Sequence, residues 1–133
     1  MTPIFADTSY YIALLSPRDA WHAQAVAFSR SISGPVLVTD FVVLEIANMY
    51  SATPRRDEVA AFIMALRIDS SVTIIPATRD LLDRGLSLYR SRRDKEWSLT
   101  DCTSFVVMQD HAVTEALTSD HHFEQAGFMI LLK

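Results

Sequence analysis

Five short apolar stretches alternate with helical patterns along the chain, and this alternation constrains the fold more than any other feature. The predicted strands are 4–6, 36–38, 72–75, 116–118 and 128–132. The run Val36-Leu37-Val38 is fully apolar, as expected for a parallel strand that is covered on both faces. Parallel strands need helical crossovers between them. We therefore predict an α/β fold: a single three-layer α/β/α domain over 1–133 with a five-stranded parallel sheet.

Length, charge and composition limit the possible functions. The chain has 133 residues, about one domain, and a formal charge of −4, which argues against binding nucleic acid through overall positive potential. Six of the twelve basic residues lie between 79 and 95, so this stretch is either a local basic surface or a solvated helix face with its own acids. Half of the residues are apolar, and we expect a dimer or a partner protein to cover part of the surface.

Three features favour a reducing cytoplasm. No apolar run approaches the roughly 18 residues of a membrane helix. The N-terminus lacks the basic region and cleavage site of a signal peptide, and Asp7 interrupts its apolar segment. Cys102 is the only cysteine and has no intramolecular disulfide partner. No membrane association is expected.

Two acids follow predicted strands directly. Asp7 comes after the first strand, and Asp120 ends the segment Thr118-Ser119-Asp120 after the fourth. Ligands of open α/β sheets bind beyond the carboxyl ends of the strands, so both acids suit a site there. Either acid could instead be an ordinary N-cap, because side-chain oxygens at that position accept from free backbone N–H groups.

Two further acids lie at unusual positions within predicted helices. Glu45 is the only formal charge between Phe41 and Pro54, in a helix that we expect to be buried because it is apolar nearly all round. A buried carboxylate needs a partner, a proton or a metal ion, unless it lies at a wet edge of its helix. Asp101 has the spacing of a capping box with Ser98, and capping alone could explain it.

The topology brings these acids to one edge of the sheet. Carboxylates crowded in one cleft repel one another, and a divalent cation removes that repulsion. Oxygen ligands without a His/Cys set favour Mg²⁺ or Mn²⁺ over Zn²⁺. We therefore predict metal-dependent phosphodiester hydrolysis by Asp7, Glu45, Asp101 and Asp120. Nearby hydroxyls are predicted to support these ligands or contact phosphate: Thr8, Ser9, Ser98, Thr118 and Ser119.

Four segments carry a family resemblance. They are Asp7-Thr-Ser, Val-Val-Leu-Glu45-Ile-Ala-Asn, Ser98-Leu-Thr-Asp101-Cys-Thr-Ser-Phe and Thr118-Ser-Asp120-His-His-Phe-Glu-Gln-Ala-Gly-Phe. Together they resemble the acidic motifs of PIN-domain nucleases over essentially the whole chain, most closely the VapC-type toxins of VapBC toxin–antitoxin pairs. The family's acidic quartet matches the four acids above one for one. Asp40, beside them, is either an extra acid or a cap.

The resemblance implies an activity and partners. It implies an endoribonuclease that depends on Mg²⁺ or Mn²⁺, a homodimer, and a small antitoxin protein that inserts near the third and fourth helices. Core packing is the ordinary alternative for the apolar residues of those helices. We assign RNA backbone contact to arginines of the basic stretch: Arg79, Arg90, Arg92 and Arg93.

Three alternative functions compete with this prediction. Haloacid-dehalogenase-like enzymes need a second Asp where Ser9 stands, and response-regulator receivers need a strand-end lysine, but the only lysines are Lys95 and Lys133. Zinc binding through Cys102 and the histidines lacks recognisable ligand spacing, and we expect His111, His121 and His122 to be surface or turn residues. A non-catalytic PIN-like module that binds RNA or a protein stays open.

Overall fold

The five strands form one sheet in which every pair of neighbours is parallel. A computed structural model describes residues 2–133. The strands are β1 (Ile4–Ala6), β2 (Val36–Thr39), β3 (Val72–Ile75), β4 (Glu115–Leu117) and β5 (Met129–Ile130). The helices are α1 (Thr8–Leu15), α2 (His22–Ser31), α3 (Asp40–Met49), α4 (Arg56–Ile68), α5 (Arg79–Ser91), α6 (Leu99–Asp110) and α7 (His121–Gln125). The predicted α/β class is confirmed.

The strand order locates a crevice. The order β3-β2-β1-β4-β5 reverses direction between β1 and β4. With right-handed crossovers, α1 to α4 cover one face of the sheet and α5 to α7 cover the other. The carboxyl ends of β1 and β4 therefore flank the switch point at which α/β sheets bind ligands.

An aromatic cluster supports that crevice. The rings of Phe5 and Phe123 lie 6.2 Å apart between centroids, and Phe105 meets Phe123 edge-on at 4.9 Å. All three side chains are at most 1% exposed. Since they belong to β1, α7 and α6, their packing fixes the elements that carry Asp7, Asp120 and Asp101.

Several element boundaries differ from the predicted ones. Strand β2 extends to Thr39, β4 covers Glu115–Leu117 instead of 116–118, and β5 covers two residues instead of the predicted 128–132. Before α2, Asp19 turns the chain by accepting from the backbone N–H of Trp21. The hydroxyl of Thr39 caps α3 by accepting from the backbone N–H of Val42.

The expectation that α3 is buried all round is wrong. The helix buries Val42 and Ile46, while Leu44 and Met49 are each 57% exposed. The sheet lies on one side of α3 and helices pack beside it, so its outward apolar side chains remain in solvent. Among the described residues, no helix is long and apolar enough to cross a membrane.

Candidate active site

A cavity of about 280 Å³ lies at the carboxyl ends of β1 and β4. All four acids singled out in the sequence line it: Asp7, Glu45, Asp101 and Asp120. The remaining lining residues are Thr8, Ser9, Ile12, Asp19, Met49 and Ser119. Ser98 and Thr118 are absent from the wall and contact the acids from behind it.

Asp7 is not used as a helix cap. It occupies the N-cap position of α1 with extended backbone, yet its side chain makes no capping hydrogen bond. Its Oδ2 instead accepts from the hydroxyl of Thr118 at 2.8 Å and from that of Ser9 at 3.3 Å. Burial raises the pKa of Asp7 to about 7, against the lowering effect of the Thr118 hydroxyl, and the charges of Asp101 and Asp120 raise it further. The hydroxyls of Thr118 and Ser9 therefore hold the Asp7 carboxyl in a position that does not cap α1.

Two hydroxyls join the start of α1 to the loop after β4. The Oγ atoms of Ser9 and Thr118 lie 2.8 Å apart, and Ser9 Oγ accepts from the backbone N–H of Ser119 at 3.1 Å. Thr118 Oγ1 also accepts from the backbone N–H of Asp120 at 3.0 Å. Ser9 and Thr118 thus fix Asp7 relative to Asp120.

Asp101 both caps its helix and lines the cavity. The capping box is complete: Asp101 N–H donates to Ser98 Oγ at 2.9 Å, and Ser98 N–H donates to Asp101 Oδ2 at 3.1 Å. The same Oδ2 lies 3.0 Å from Nδ1 of His122. Burial is the main cause that raises the pKa of Asp101, and the charge of Asp120 adds to it. Capping therefore occupies one carboxylate oxygen and does not exclude a role for the other.

Asp120 and Glu45 complete the acidic set. Asp120 is the N-cap of α7, where its Oδ1 accepts from the backbone N–H of His122 at 2.9 Å. Glu45 projects from the partly exposed side of α3 and forms no ion pair with any residue of 2–133. Glu45 therefore has no arginine partner among the described residues. It lies instead at the partly solvent-exposed edge of the helix.

Asp40 lies outside this set. Its Oδ2 accepts from the backbone N–H of Ala77 at 3.1 Å, and the residue does not line the cavity. Asp40 therefore holds the segment between β3 and α5 rather than serving as an extra acid.

Two residues near the acids were not identified from the sequence. Asp19, in the turn between α1 and α2, lines the cavity. His122 was expected at the surface or in a turn, but its side chain is only 19% exposed and contacts Asp101. The position of His122 two residues after Asp120 is the only sequence signal that pointed to it.

The four arginines assigned to RNA, in the basic stretch 79–95, do not line this cavity. Arg92 donates both guanidinium hydrogen bonds to Asp94 at 3.0 Å and stacks over Trp97. Arg79, Arg90 and Arg93 are exposed. Their assignment to RNA stays a prediction, and Arg92 is already engaged within the protein.

Cys102 and the histidines considered for zinc binding lie in different surroundings. Burial raises the pKa of the Cys102 thiol to about 11, which disfavours the thiolate that zinc requires. His111 lies at the end of α6, away from the others. Asp120, His121 and His122 do place ligand atoms within 4.8 Å of one another, in a group that includes neither Cys102 nor His111.

Comparison with known proteins agrees with this geometry. The family model described as "PIN domain" matches residues 4–129. The chain belongs to the PIN-domain family. A curated relative, the "23S rRNA-specific endonuclease VapC20" of Mycobacterium tuberculosis, is 31% identical to this PIN-domain chain over 127 residues, 95% of each protein.

Solved structures give the same result. The crystal structure of VapC20 from Mycobacterium tuberculosis, described as a Sarcin-Ricin loop cleaving toxin, has a TM-score of 0.86 and 28% identity, covering 98% of this chain and 99% of that one. FitAcB from Neisseria gonorrhoeae has a TM-score of 0.70 at 17% identity, with 96% of each chain covered. At that identity the second likeness shows the PIN fold alone.

The residues at the cavity suit a divalent cation, and nucleases of the PIN family are typically metal-dependent. Thr8 is 6% exposed, and its Oγ1 is buried without a hydrogen-bond partner in the described chain, although the residue lines the cavity. An unpaired buried hydroxyl costs free energy unless a ligand or water meets it. The surrounding donors are carboxylates and hydroxyls, which suit a hard cation.

Proposed function

We propose that this protein is an endoribonuclease that depends on Mg²⁺ or Mn²⁺ and is the toxin of a type II toxin–antitoxin pair. The main support is the convergence of Asp7, Glu45, Asp101 and Asp120 from four separate elements on one cavity. Helix capping accounts for neither Asp7 nor Glu45. The likeness to a 23S rRNA-specific endonuclease over 95% of the chain supports RNA as the substrate.

The four acids would hold the cation, and each is prepared for it differently. Thr118 and Ser9 orient the Asp7 carboxyl through the hydroxyls that they donate to its Oδ2. Asp101 is fixed by its capping box, and Asp120 by the backbone N–H of His122. Held by these residues, a divalent cation would supply a water of lowered pKa as the nucleophile and positive charge to stabilise the leaving oxygen.

RNA cleavage tests the proposal. We expect the wild-type protein to cleave RNA with added Mn²⁺ or Mg²⁺ and to be inactive in EDTA, with 23S rRNA as the first substrate to examine. Asp7→Asn should lower the cleavage rate by at least about 100-fold, since it removes a charged ligand. Asp83→Asn is a matched control, because Asp83 is exposed on α5 away from the cavity.

The outcomes separate the enzyme from a binding module. Cleavage that survives EDTA or Asp7→Asn contradicts the assignment. Tight RNA binding without cleavage, in either metal, supports the alternative of a non-catalytic PIN-like module.

A groove between α3 and α4 is the proposed binding site of the antitoxin. It has a volume of about 400 Å³ and a largely apolar lining that includes Tyr50, Val59, Ile63 and Met64. Arg56 is the one charged side chain among the residues that line this groove. Next to it, Leu44 and Met49 expose apolar surface on α3. Such a patch on a small protein favours burial by a partner.

Three further assignments belong to this proposal. Residues 1–133 act as one PIN domain. The protein forms a homodimer, which would cover apolar surface outside the groove, such as Leu86 and Tyr89 on α5. It works in the cytoplasm, since its cysteine is buried and free.

A further inference from the structure

His122 contacts two of the cavity acids, which come from different elements. Its backbone N–H donates to Asp120 Oδ1 at 2.9 Å. Its ring Nδ1 lies 3.0 Å from Asp101 Oδ2 and 3.4 Å from Asp120 Oδ1. The side chain is 19% exposed, whereas that of the neighbouring His121 is 71% exposed. One residue of α7 thus bridges the start of α6 and the end of β4.

The direction of this hydrogen bond follows from the charge that Asp101 must carry as a metal ligand. An ionised carboxylate only accepts, so in the metal-binding form Nδ1 of His122 carries the proton and donates it to Asp101 Oδ2. Together with the N–H of Ser98, this gives Asp101 Oδ2 two donors. The hydrogen bonds within residues 2–133 do not use Asp101 Oδ1, and the residue lines the cavity. The two donors therefore set the plane of the carboxylate and leave one oxygen for a ligand.

We propose that His122 is a positioning residue that orients Asp101 relative to Asp120 for binding of a divalent cation. The proposal rests on the proposed function, in which these acids hold the metal. His122 acts through Asp101 and does not itself touch the cation. Hydrogen-bonding partners of ligands commonly change metal affinity when they are removed, because the ligand loses its fixed orientation.

A direct ligand role is the competing assignment, since Asp120, His121 and His122 could together hold a metal ion. The contacts favour positioning. Nδ1 of His122 lies at hydrogen-bonding distance from Asp101, so a ligand role would have to use Nε2, and His121 is largely in solvent. Substitutions distinguish the two roles, because the amide nitrogen of asparagine can replace Nδ1 as a donor but offers nothing at the place of Nε2.

The test measures Mn²⁺ affinity of the whole protein by electron paramagnetic resonance of free Mn²⁺. We expect His122→Leu to weaken Mn²⁺ binding by about 10-fold or more, the usual effect of losing such a partner. His122→Asn should restore most of the affinity. His111→Leu is the matched control, because His111 is exposed at the far end of α6. Thermal melts in EDTA check that each variant folds.

A second measurement needs no variant. Nitrogen-15 NMR of the wild-type imidazoles should show a proton on Nδ1 of His122, and an unprotonated Nδ1 overturns the proposal. Affinity in His122→Leu equal to wild type also overturns it while leaving the nuclease assignment intact. Equal losses in His122→Asn, His122→Leu and His121→Leu would make the histidines ligands instead. If wild-type protein does not bind Mn²⁺, the proposed function itself fails.

Discussion

The protonation of Asp7 differs between the unfolded chain and the folded protein. Its pKa is about 7 in the fold against 3.8 ordinarily, mainly through burial. A carboxyl with a raised pKa holds its proton in the folded state, so its stability contribution is full below pH 3.8 and is lost as the pH rises through about 7. The difference corresponds to about 4 kcal/mol at most, since one pKa unit equals about 1.4 kcal/mol.

Asp7→Asn should therefore stabilise the metal-free protein in a pH-dependent way. We expect its free energy of unfolding in EDTA to exceed that of wild type at about pH 8, and the gain to shrink toward about pH 4, where wild-type Asp7 is protonated. Urea denaturation at both pH values measures this. A gain that is independent of pH, or a loss at about pH 8, would contradict the raised pKa.

Asp101→Asn separates capping from metal binding at a single residue. An asparagine oxygen still accepts from Ser98 N–H, so the stability of α6 without metal should change by less than about 1 kcal/mol. The increase in melting temperature on adding Mn²⁺ should become much smaller, because the variant lacks the charge. Strong destabilisation in EDTA with an unchanged Mn²⁺ response would mean that Asp101 only caps its helix.

At the level of elements, α5 and α6 pack closely at a glycine. A Cβ at Gly85 would lie 2.5 Å from Cγ2 of Thr103, which is 1% exposed and donates its hydroxyl to the Thr100 carbonyl. Gly85→Ala gains helix propensity, but the overlap costs more. We expect a net loss of about 1–2 kcal/mol in the free energy of unfolding.

The paired variant tests the cause. Gly85→Ala with Thr103→Ser removes the clashing methyl, and the double-mutant cycle should show a favourable coupling between the two substitutions. Additive effects, or stabilisation by Gly85→Ala alone, would show that this helix contact has room to relax. Thr103 and Asp101 belong to the same helix, α6, so a shift of this helix would also move Asp101. The rate of RNA cleavage by Gly85→Ala should therefore fall together with its free energy of unfolding.

The sequence is sufficient to predict the strands and helices, but not which of their side chains are exposed or which contacts they make. Alternation of apolar strands and helices was enough for the parallel sheet, and strand ends pointed to Asp7 and Asp120. The predicted burial of α3 is wrong because the sequence does not distinguish its exposed apolar residues, Leu44 and Met49, from core residues. Asp19 reaches the cavity through a turn, and His122 through packing of α7 on α6. Neither spacing nor periodicity encodes such contacts.

For the whole molecule, the apolar groove and the acidic cavity are expected to be separable. Met64 is 60% exposed in the groove between α3 and α4 and lies outside the cavity lining. Met64→Asp should weaken binding of an antitoxin by about 10-fold or more, because it places a charge in an apolar interface core. The cleavage rate of the free protein should not change. Pull-down with the product of an adjacent small gene, alongside an RNA cleavage assay, checks both.

Anomalous diffraction from a crystal soaked in MnCl₂ would locate the metal site itself. We predict a manganese peak in the cavity, within coordination distance of Asp7 and at least one of Asp101, Asp120 and Glu45. An occupied Mn²⁺ site elsewhere, with the acidic cavity empty, would contradict it.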